Sequence, residues 1–298
     1  MNRFRRRILA AFLALPILAV LAAGAVYGIS EWRLHAVKRA ADFTQPIPAG
    51  AATVERGHHL ARTRGCFGCH GKRLEGHDFG RLWAPIESAV APNLAAYAQT
   101  YDAATLEAAI RQGIGADGRA LWAMPSYNFA RLNDEDVAAM IAFLRSVPVV
   151  DMDLPEPRLG WIVRWQIASG QESHMVDWVA DVPPLRTDAD AQPALARGEY
   201  LAMTTCNECH GIDLRGAIYS GGATPDLAIV SAYPEEEFRR LLSEGVGIGG
   251  RTDLGLMSEV AKERFAHFTE QEFADLRAFL LTLAQQPVPP DVRWRRID

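Results

Sequence analysis

The sequence predicts an all-α protein in which one membrane-crossing helix precedes two tandem helical domains. Three observations lead to this fold class. A run of 23 uncharged residues follows an arginine cluster near the N-terminus. Two later segments repeat each other and contain apolar residues at helical spacing. The sequence also lacks an alternating apolar and polar pattern long enough to indicate a substantial β-strand.

The uncharged run extends from Ile8 to Ser30 and predicts a membrane anchor within residues 1–31. As a helix it would be about 34 Å long, enough to cross the roughly 30 Å core of a bilayer. The preceding arginines are expected to stay in the cytoplasm, so we expect an inner-membrane anchor with the later domains in the periplasm. A cleaved signal peptide is the alternative, because residues 23–25 (AGA) resemble a cleavage site.

The charge of the chain argues against nucleic-acid binding. The 298 residues carry a formal charge of −5. Residues 1–29 contain four arginines and no acidic residue, so the rest of the chain carries −9. Nucleic-acid binding depends on Lys and Arg side chains that neutralise phosphates. An acidic exported surface would instead suit a protein partner with a basic patch, or would simply be solvated.

An internal repeat divides the exported part of the chain. The segment ARGEYLAMTTCNECHGIDLRG (196–216) resembles ERGHHLARTRGCFGCHGKRLEG (55–76). Further along each copy, TPDLA (224–228) resembles APNLA (91–95). The repeat therefore predicts two domains that share one helical plan.

We place the first domain at residues 50–150, a connector at 151–187 and the second domain at 188–290. The connector begins and ends in Pro- and Asp-containing sequence. Its middle part carries apolar residues at amphipathic spacing, which are Trp161, Ile162, Trp165 and Ile167. We expect these side chains to pack the two domains together rather than to lie on a membrane surface.

Each domain is expected to contain a helix that ends at a glycine and a final helix with a capped start. The terminating glycines are Gly113 and Gly245. Asn133 is the predicted cap of the first final helix, and Thr269 with Glu272 forms a capping box at the second. The apolar stripes of these final helices are Val137, Met140, Ile141 and Leu144, and Phe273, Leu276, Leu280 and Leu283.

All four cysteines occur in two copies of the pattern C-x-x-C-H. The two copies are Cys66, Cys69 and His70, and Cys206, Cys209 and His210. On a helical turn the two cysteines share a face and the histidine stands beside them. Two thiols so placed can form thioethers with haem vinyl groups while the imidazole faces the iron, and the pattern is that of c-type haem attachment.

Two other interpretations of the motif are weaker. A redox motif of the thioredoxin type would require a βαβ context, and a shared zinc site would require ligands from two domains 140 residues apart. The sequence therefore predicts two covalently bound haem c groups, each with its motif histidine as an iron ligand.

A haem iron with one histidine needs a second axial ligand or an open position for chemistry. Met124 lies just before the last helix of the first domain, and Met257 occupies the matching place in the second. A thioether suits an iron that transfers electrons. We predict Met124 and Met257 as the second ligands, with His267 as the alternative in the second domain.

These features resemble class I cytochromes c over residues 54–144 and 196–283. The resemblance implies that a glycine in the first helix of each domain lets the last helix cross closely. Gly57 with Phe143, and Gly198 with Phe279, match the family's pairs.

The resemblance also implies supporting residues around each haem. Pro92 and Pro225 match the family's proline, whose carbonyl accepts a hydrogen bond from the attachment histidine. Arg111 and Arg119 lie near the predicted distal loop and are candidates to pair with haem propionates.

The resemblance implies electron transfer rather than catalysis. The anchored tandem arrangement resembles cytochrome subunits of membrane-associated periplasmic dehydrogenases, which often have three haem domains where this chain has two. We expect the chain to relay electrons from a periplasmic dehydrogenase to the respiratory chain. Two alternatives are a dihaem enzyme, peroxidase-like or thiosulfate-oxidising, and a dihaem subunit of a terminal oxidase.

Overall fold

The computed structural model describes residues 3–40, 43–80, 86–171, 175–219, 222–287 and 296–297. The described chain is mostly helical, as predicted. Its first helix, α1 (Arg3–His35), includes the stretch Phe12–His35, which has a mean hydropathy of 2.3. Among the described helices, this one alone is long and apolar enough to cross a membrane.

The first cysteine motif belongs to a unit of short helices around a small hairpin. Its helices and strands are α2 (Ala51–Thr63), α3 (Cys66–His70), β1 (His77–Gly80), β2 (Ala89–Ala91), α4 (Leu94–Thr100), α5 (Ala103–Glu107) and α6 (Asp134–Ser146). A π-helical turn, Ala108–Gln112, continues α5 as far as Gly113. A 3₁₀ turn, Ser126–Phe129, precedes α6.

The connector contains two helices, and the second unit follows them. The connector helices are α7 (Trp161–Ser169) and α8 (Met175–Asp181). The second unit contains α9 (Pro193–Met203), α10 (Asn207–His210), β3 (Ala217–Tyr219), β4 (Gly222–Thr224), α11 (Glu235–Glu244), α12 (Leu256–Glu263) and α13 (Glu270–Leu283). Three 3₁₀ turns link these elements, at Leu227–Ala232, Ile248–Gly250 and Phe265–His267.

The short strands are the part of the secondary structure that the sequence did not predict. β1 and β2 pair in antiparallel fashion, as do β3 and β4, and the short strand β5 (Arg296–Ile297) lies parallel to β3. None of these strands exceeds four residues. Such strands are too short to show an alternating pattern, which needs about four to eight residues.

The predicted helix ends are confirmed. The Asn133 side chain accepts a hydrogen bond from the Asp136 amide at the start of α6, and Thr269 and Glu272 form the capping box of α13. Gly113 and Gly245 close their helices with φ values of 71° and 71°, in the left-handed region that favours glycine. The predicted stripes of α6 and α13 are buried.

The first and last helices of each unit cross at a glycine, as the resemblance implied. A Cβ atom at Gly57 would lie 2.7 Å from Phe143 Cβ and would overlap the Ala139 carbonyl. A Cβ atom at Gly198 would lie 2.7 Å from Phe279 Cβ. Only glycine permits these approaches, so each unit is built on a closely packed helix pair.

The prediction for the connector aromatics is wrong. Trp161, Ile162 and Trp165 do not pack between the two units but are 53%, 57% and 51% exposed. The opposite face of α7 is the buried one, and it carries Val163 and Ile167. That face packs against Leu34 at the end of α1. The amphipathic pattern identified a helix with two apolar faces, and sequence spacing does not distinguish which face is covered.

Candidate haem-attachment sites

The first cysteine motif forms its own helical turn. α3 begins after Gly65, whose φ is 85°, and ends before Gly71, whose φ is 84°. These left-handed residues separate the turn from α2 and from the following loop, and they set its direction. Cys66 and Cys69 are free thiols, both partly buried, on this turn. Burial raises the pKa of Cys66 to about 12, so the thiol is protonated in the folded chain.

His70 is held by the carbonyl predicted for it. Its Nδ1 atom lies 2.8 Å from the Pro92 oxygen. A carbonyl only accepts hydrogen bonds, so Nδ1 carries the proton and Nε2 keeps its lone pair. The side chain is buried, and burial lowers the pKa of His70, although the bond to Pro92 partly opposes this effect. The net result is a neutral imidazole whose Nε2 is available to a metal.

The second motif repeats this arrangement. Cys206 lies immediately before α10, and Cys209 and His210 lie on it. His210 Nδ1 is 2.9 Å from the Pro225 oxygen, so the same tautomer is fixed. Burial lowers the pKa of His210, and the hydrogen bond to Pro225 opposes it. The two sites are therefore equivalent in their proximal hydrogen bonds.

A cavity of about 570 Å³ lies over the first motif. Its wall includes Cys66, Cys69 and His70, together with Pro92 and Met124. Apolar side chains form much of the remaining wall, among them Tyr97, Leu106, Ile110, Phe129 and Leu144. Two thiols, a neutral imidazole and a thioether around one apolar cavity are the donor set of a covalently held haem with a methionine ligand. These residues therefore fit the group that the motif implies.

The second ligand candidates occupy different local structures. Met124 lies in the loop before the Ser126–Phe129 turn and lines the cavity. Met257 lies in the first turn of α12 and is partly buried against the hydrophobic core of the second unit. His267 is exposed, and its Nε2 lies 3.4 Å from Arg62 of the first unit. The contact with Arg62 directs His267 toward the first unit.

The two arginines proposed as propionate partners already have carboxylate partners in the structure. Arg111 contacts Glu107 at 2.7 Å and Asp134 at 2.8 Å. Arg119 contacts Glu31, at the end of α1, at 3.1 Å, and it also lines the cavity over the first motif. Of the two, Arg119 is the one that the structure brings to the candidate site.

The structure also brings the two cysteine motifs together, which the sequence did not predict. Arg264 of the second unit lies against Gly65 and forms an ion pair with Glu208, inside the second motif, at 2.8 Å. Both Arg264 and Glu208 line the first cavity. The Tyr127 hydroxyl of the first unit donates to the Glu208 carbonyl at 3.1 Å. The Glu208 charge within a motif was visible in the sequence, but its partner was not.

Polar contacts extend this interface on either side of the motifs. Arg64 is 3% exposed, and it donates to the Thr204 hydroxyl of the second unit at 3.2 Å. His59 lies 2.9 Å from a Glu272 carboxylate oxygen. The Tyr200 hydroxyl donates to Asp136 at 2.6 Å. The interface therefore joins the attachment region of one unit to that of the other.

Comparison with known proteins gives matches to both units. The family model described as cytochrome c matches residues 54–148 and 195–284. The chain is 27% identical over 279 residues to the cytochrome c subunit of the quinone alcohol dehydrogenase of Gluconobacter oxydans, covering 82% of this chain and 56% of that protein. It is 28% identical over 179 residues to the fructose dehydrogenase cytochrome subunit of Gluconobacter japonicus, covering 56% of this chain and 37% of that protein.

A further relative is one of the subunits of the nicotinate dehydrogenase of Pseudomonas putida. It is 26% identical over 268 residues, which are 80% of this chain and 22% of that protein. The chain therefore spans only a little more than half the length of the alcohol dehydrogenase subunit, and less of the other two.

Proposed function

This chain belongs to the cytochrome c family, and on that premise we propose that it is a membrane-anchored electron-transfer protein with two haem c groups. Cytochrome c domains hold haem covalently. In the proposal, Cys66 and Cys69 carry the first haem and Cys206 and Cys209 the second. A bound haem iron supplies one-electron chemistry by changing between its ferrous and ferric states.

The residues of this chain fix and tune that chemistry. His70 and His210 are the proposed proximal ligands, each oriented by a hydrogen bond to a proline carbonyl. Such a bond holds the ring and makes the imidazole a stronger donor. Met124 and Met257 are the proposed distal ligands, and a methionine thioether raises the reduction potential relative to a second histidine.

The proposal of electron transfer between two haems rests on the contact between the two attachment motifs. Arg264 lies beside Gly65, which directly precedes the first motif, and pairs with Glu208 inside the second motif; both side chains line the first cavity. Cofactors attached at these motifs would lie close to each other across a protein-filled interface. We propose that electrons pass between the two haems within this one chain.

The names of the relatives suggest the donor. Several of them are cytochrome subunits of dehydrogenases, so we propose a dehydrogenase as the electron donor and the respiratory chain as the destination. We propose that α1 anchors the chain in the inner membrane and that both haem domains lie in the periplasm. Mild solubilisation followed by mass spectrometry tests the partner. Copurification with a haem–copper oxidase instead of a dehydrogenase would contradict this assignment.

The number of haems is tested by counting them per chain. Pyridine haemochrome spectra should give two covalent haems for the wild type. They should give one for Cys66→Ala/Cys69→Ala and one for Cys206→Ala/Cys209→Ala. A wild-type value of one would refute the relay, whichever motif carried the group. Peroxide and CO should leave both haems unchanged, because each iron would have two protein ligands.

The distal ligand of the first haem is tested by Met124→Ala. The variant should keep its haem but lose the methionine–iron near-infrared band, and the potential of the first haem should fall, because the soft thioether favours ferrous iron. Met152→Ala is the matched control, since Met152 is half exposed in the connector. An unchanged spectrum and potential in Met124→Ala would mean that another residue is the ligand.

A further inference from the structure

The helix α7 has two apolar faces, and only one of them is covered by the described protein. Val163 and Ile167 are 0% and 2% exposed on the inner face. Trp161, Ile162 and Trp165 form the outer face, and each is more than half exposed. Two exposed tryptophans and an isoleucine on one helical turn form a large apolar surface, and an aqueous position would leave that surface unfavourably hydrated.

The position of α7 along α1 is fixed by several contacts. The Arg33 guanidinium donates to the Ile167 carbonyl at 3.0 Å. Arg164 donates to the Ser30 hydroxyl at 3.0 Å and to the Glu31 carboxylate at 2.7 Å. Its guanidinium also lies 4.1 Å from the centre of the Tyr27 ring. α7 therefore packs where the uncharged run of α1 ends and charged residues begin.

The surface of α1 at the same level has the composition of a membrane interface. Tyr27 and Trp32 are 54% and 68% exposed, on either side of Ser30 and Glu31. Tyrosine and tryptophan are enriched where a membrane helix passes the lipid headgroups, because an apolar ring and a polar group meet their separate preferences there. The outer face of α7 adds two more tryptophans to this level.

We propose that the outer face of α7 (Trp161, Ile162 and Trp165) lies in the headgroup and upper acyl-chain region of the bilayer that α1 crosses. The proposal rests on the proposed anchoring by α1. The occupant is lipid because the face is continuous with the membrane-crossing helix and lies at its point of exit. It follows that the connector is a second, interfacial contact with the membrane.

This contact would orient the first haem site. The inner face of α7 shares a hydrophobic cluster with Ile86, Ala89 and Ala120. The same three residues line the cavity over the first motif. A helix held at the headgroups would therefore hold the first cavity beside the membrane surface, with only one layer of side chains between them.

Photochemical labelling of the full-length haem-loaded chain in phosphatidylcholine nanodiscs tests the proposal. One sample carries a phosphatidylcholine with a diazirine in the upper acyl chain, and another carries the diazirine at the chain end. Trypsin then releases the peptide 159–164 (LGWIVR), which includes the start of α7, and the peptide 252–262 (TDLGLMSEVAK). The second peptide contains Leu256, whose side chain is 64% exposed. The second peptide is the control for exposed apolar surface away from α7.

With the upper-chain probe, residues 159–164 should carry several times more adduct than residues 252–262, because an aromatic interfacial helix lies at the depth of this probe. With the chain-end probe, α1 should be labelled and residues 159–164 should not, because an interfacial helix does not reach the bilayer centre.

Labelling of the α1 peptide, residues 8–33, distinguishes failure of the proposed position of α7 from failure of the proposed anchor. Labelled α1 without labelled 159–164 would overturn the interfacial position of α7, keep the anchor, and leave the outer face to a protein partner. Absence of label from both peptides would overturn the anchor as well. Equal labelling of 159–164 and 252–262 would also overturn the proposal, because contact would then be nonspecific.

Discussion

At the scale of single residues, the charges between the two cysteine motifs decide how the haems would influence each other. Arg264 is partly buried, touches Gly65 directly before the first motif and pairs with Glu208 of the second. A charge held in a protein interior is screened less than one at the surface. The pair therefore contributes to the potential of any cofactor at these motifs, and each member contributes with its own sign.

The substitution Arg264→Met should lower the haem potentials. Loss of the cation removes the Arg264 charge from beside Glu208 and both motifs, and the more negative field favours ferric over ferrous haem. We expect a fall of several tens of millivolts, where about 59 mV corresponds to a tenfold change in a one-electron equilibrium. Potentiometric titration with optical detection measures both haems.

Two further variants make this prediction specific. Glu208→Gln should raise the potentials, opposite in sign to Arg264→Met. Arg240→Met removes the same charge from an exposed ion pair in α11 and should leave both potentials nearly unchanged. Shifts of the same sign in the Arg264 and Glu208 variants would show that structural disturbance, not charge, is responsible.

The Glu272 carboxylate should make the stability of the protein depend on pH in the acidic range. Burial would raise the pKa of Glu272, but its bonds from His59 and from the Thr269 backbone outweigh burial and hold that pKa below its usual value. Stability from a lowered carboxyl pKa is present above the unfolded value of about 4.3 and is lost as pH falls through the folded value. Between pH 5 and pH 3, Glu272→Gln should thus lose less unfolding free energy than the wild type.

Denaturant unfolding of the haem-loaded protein at each pH measures this difference. Near pH 6 the same variant should be less stable than the wild type by about 1 kcal/mol, the usual contribution of one partly buried polar contact. Glu270→Gln is the control, since Glu270 is an exposed neighbour on the same turn of α13. Parallel pH profiles of Glu272→Gln and the wild type would show that this carboxylate does not link the units.

Sequence alone predicted the residues of the motifs because their chemistry is local. Two cysteines and a histidine within five positions define an attachment turn wherever the chain places it. The proline carbonyls needed the family resemblance as well, because nothing in the spacing requires them to face a histidine. The Arg264–Glu208 pair could not be predicted, since it depends on how one unit docks on the other.

At the scale of elements, a glycine sets the distance between the first and last helices of each unit. Gly57 lies against the backbone of α6, and Gly198 lies against the backbone of α13. Backbone atoms cannot move away as a side chain does, so a methyl group must separate the helices. Cys66 packs against the same hydrophobic cluster as Phe143, and Cys206 against the same cluster as Phe279, so these crossings support the motif turns.

Gly57→Ala and Gly198→Ala should each destabilise the protein by about 1–3 kcal/mol, the usual cost of overpacking a core. Thermal unfolding followed by circular dichroism measures the loss. Glu55→Ala, an exposed position in the same helix α2, is the control and should be neutral, because alanine favours the helix. If Gly57→Ala were as stable as Glu55→Ala, the crossing would be looser than the structure indicates.

The sequence predicted the helices well where caps and apolar stripes agreed, as in α6 and α13. It predicted α7 as amphipathic but assigned the wrong partner to its aromatics. Periodicity reveals that a face is apolar, whereas the identity of what covers it is a property of the tertiary structure. The strands escaped prediction because two to four residues carry no periodicity.

At the scale of the whole molecule, Glu31 joins α1 to the rest of the chain. Its carboxylate contacts Arg119, on the wall of the first cavity, and Arg164 of α7, at 3.1 and 2.7 Å. The side chain of Arg164 is largely buried in this contact. One carboxylate therefore ties α1, α7 and the wall of the first cavity together.

Glu31→Gln should loosen this junction without unfolding either unit. We expect trypsin to cleave the exposed bonds after Lys38 and Arg39 several times faster than in the wild type, because the segment behind α1 would open more often. Haem content should not change. Glu259→Gln, at an exposed position of α12, is the control. Equal cleavage rates would mean that the Glu31 carboxylate is not needed and that the remaining contacts, among them Arg33 with Ile167 and the packing of Leu34, hold the junction.

The residues around the first cavity bear on whether a cofactor is attached before or after the chain finishes folding. Residues 154–159 of the connector line that cavity, and so do Glu208 and Arg264 of the second unit. A porphyrin can reach Cys66 and Cys69 freely only while these later segments are still absent or undocked. If the first motif carries a porphyrin, its attachment would therefore precede docking of the connector and of the second unit over this cavity.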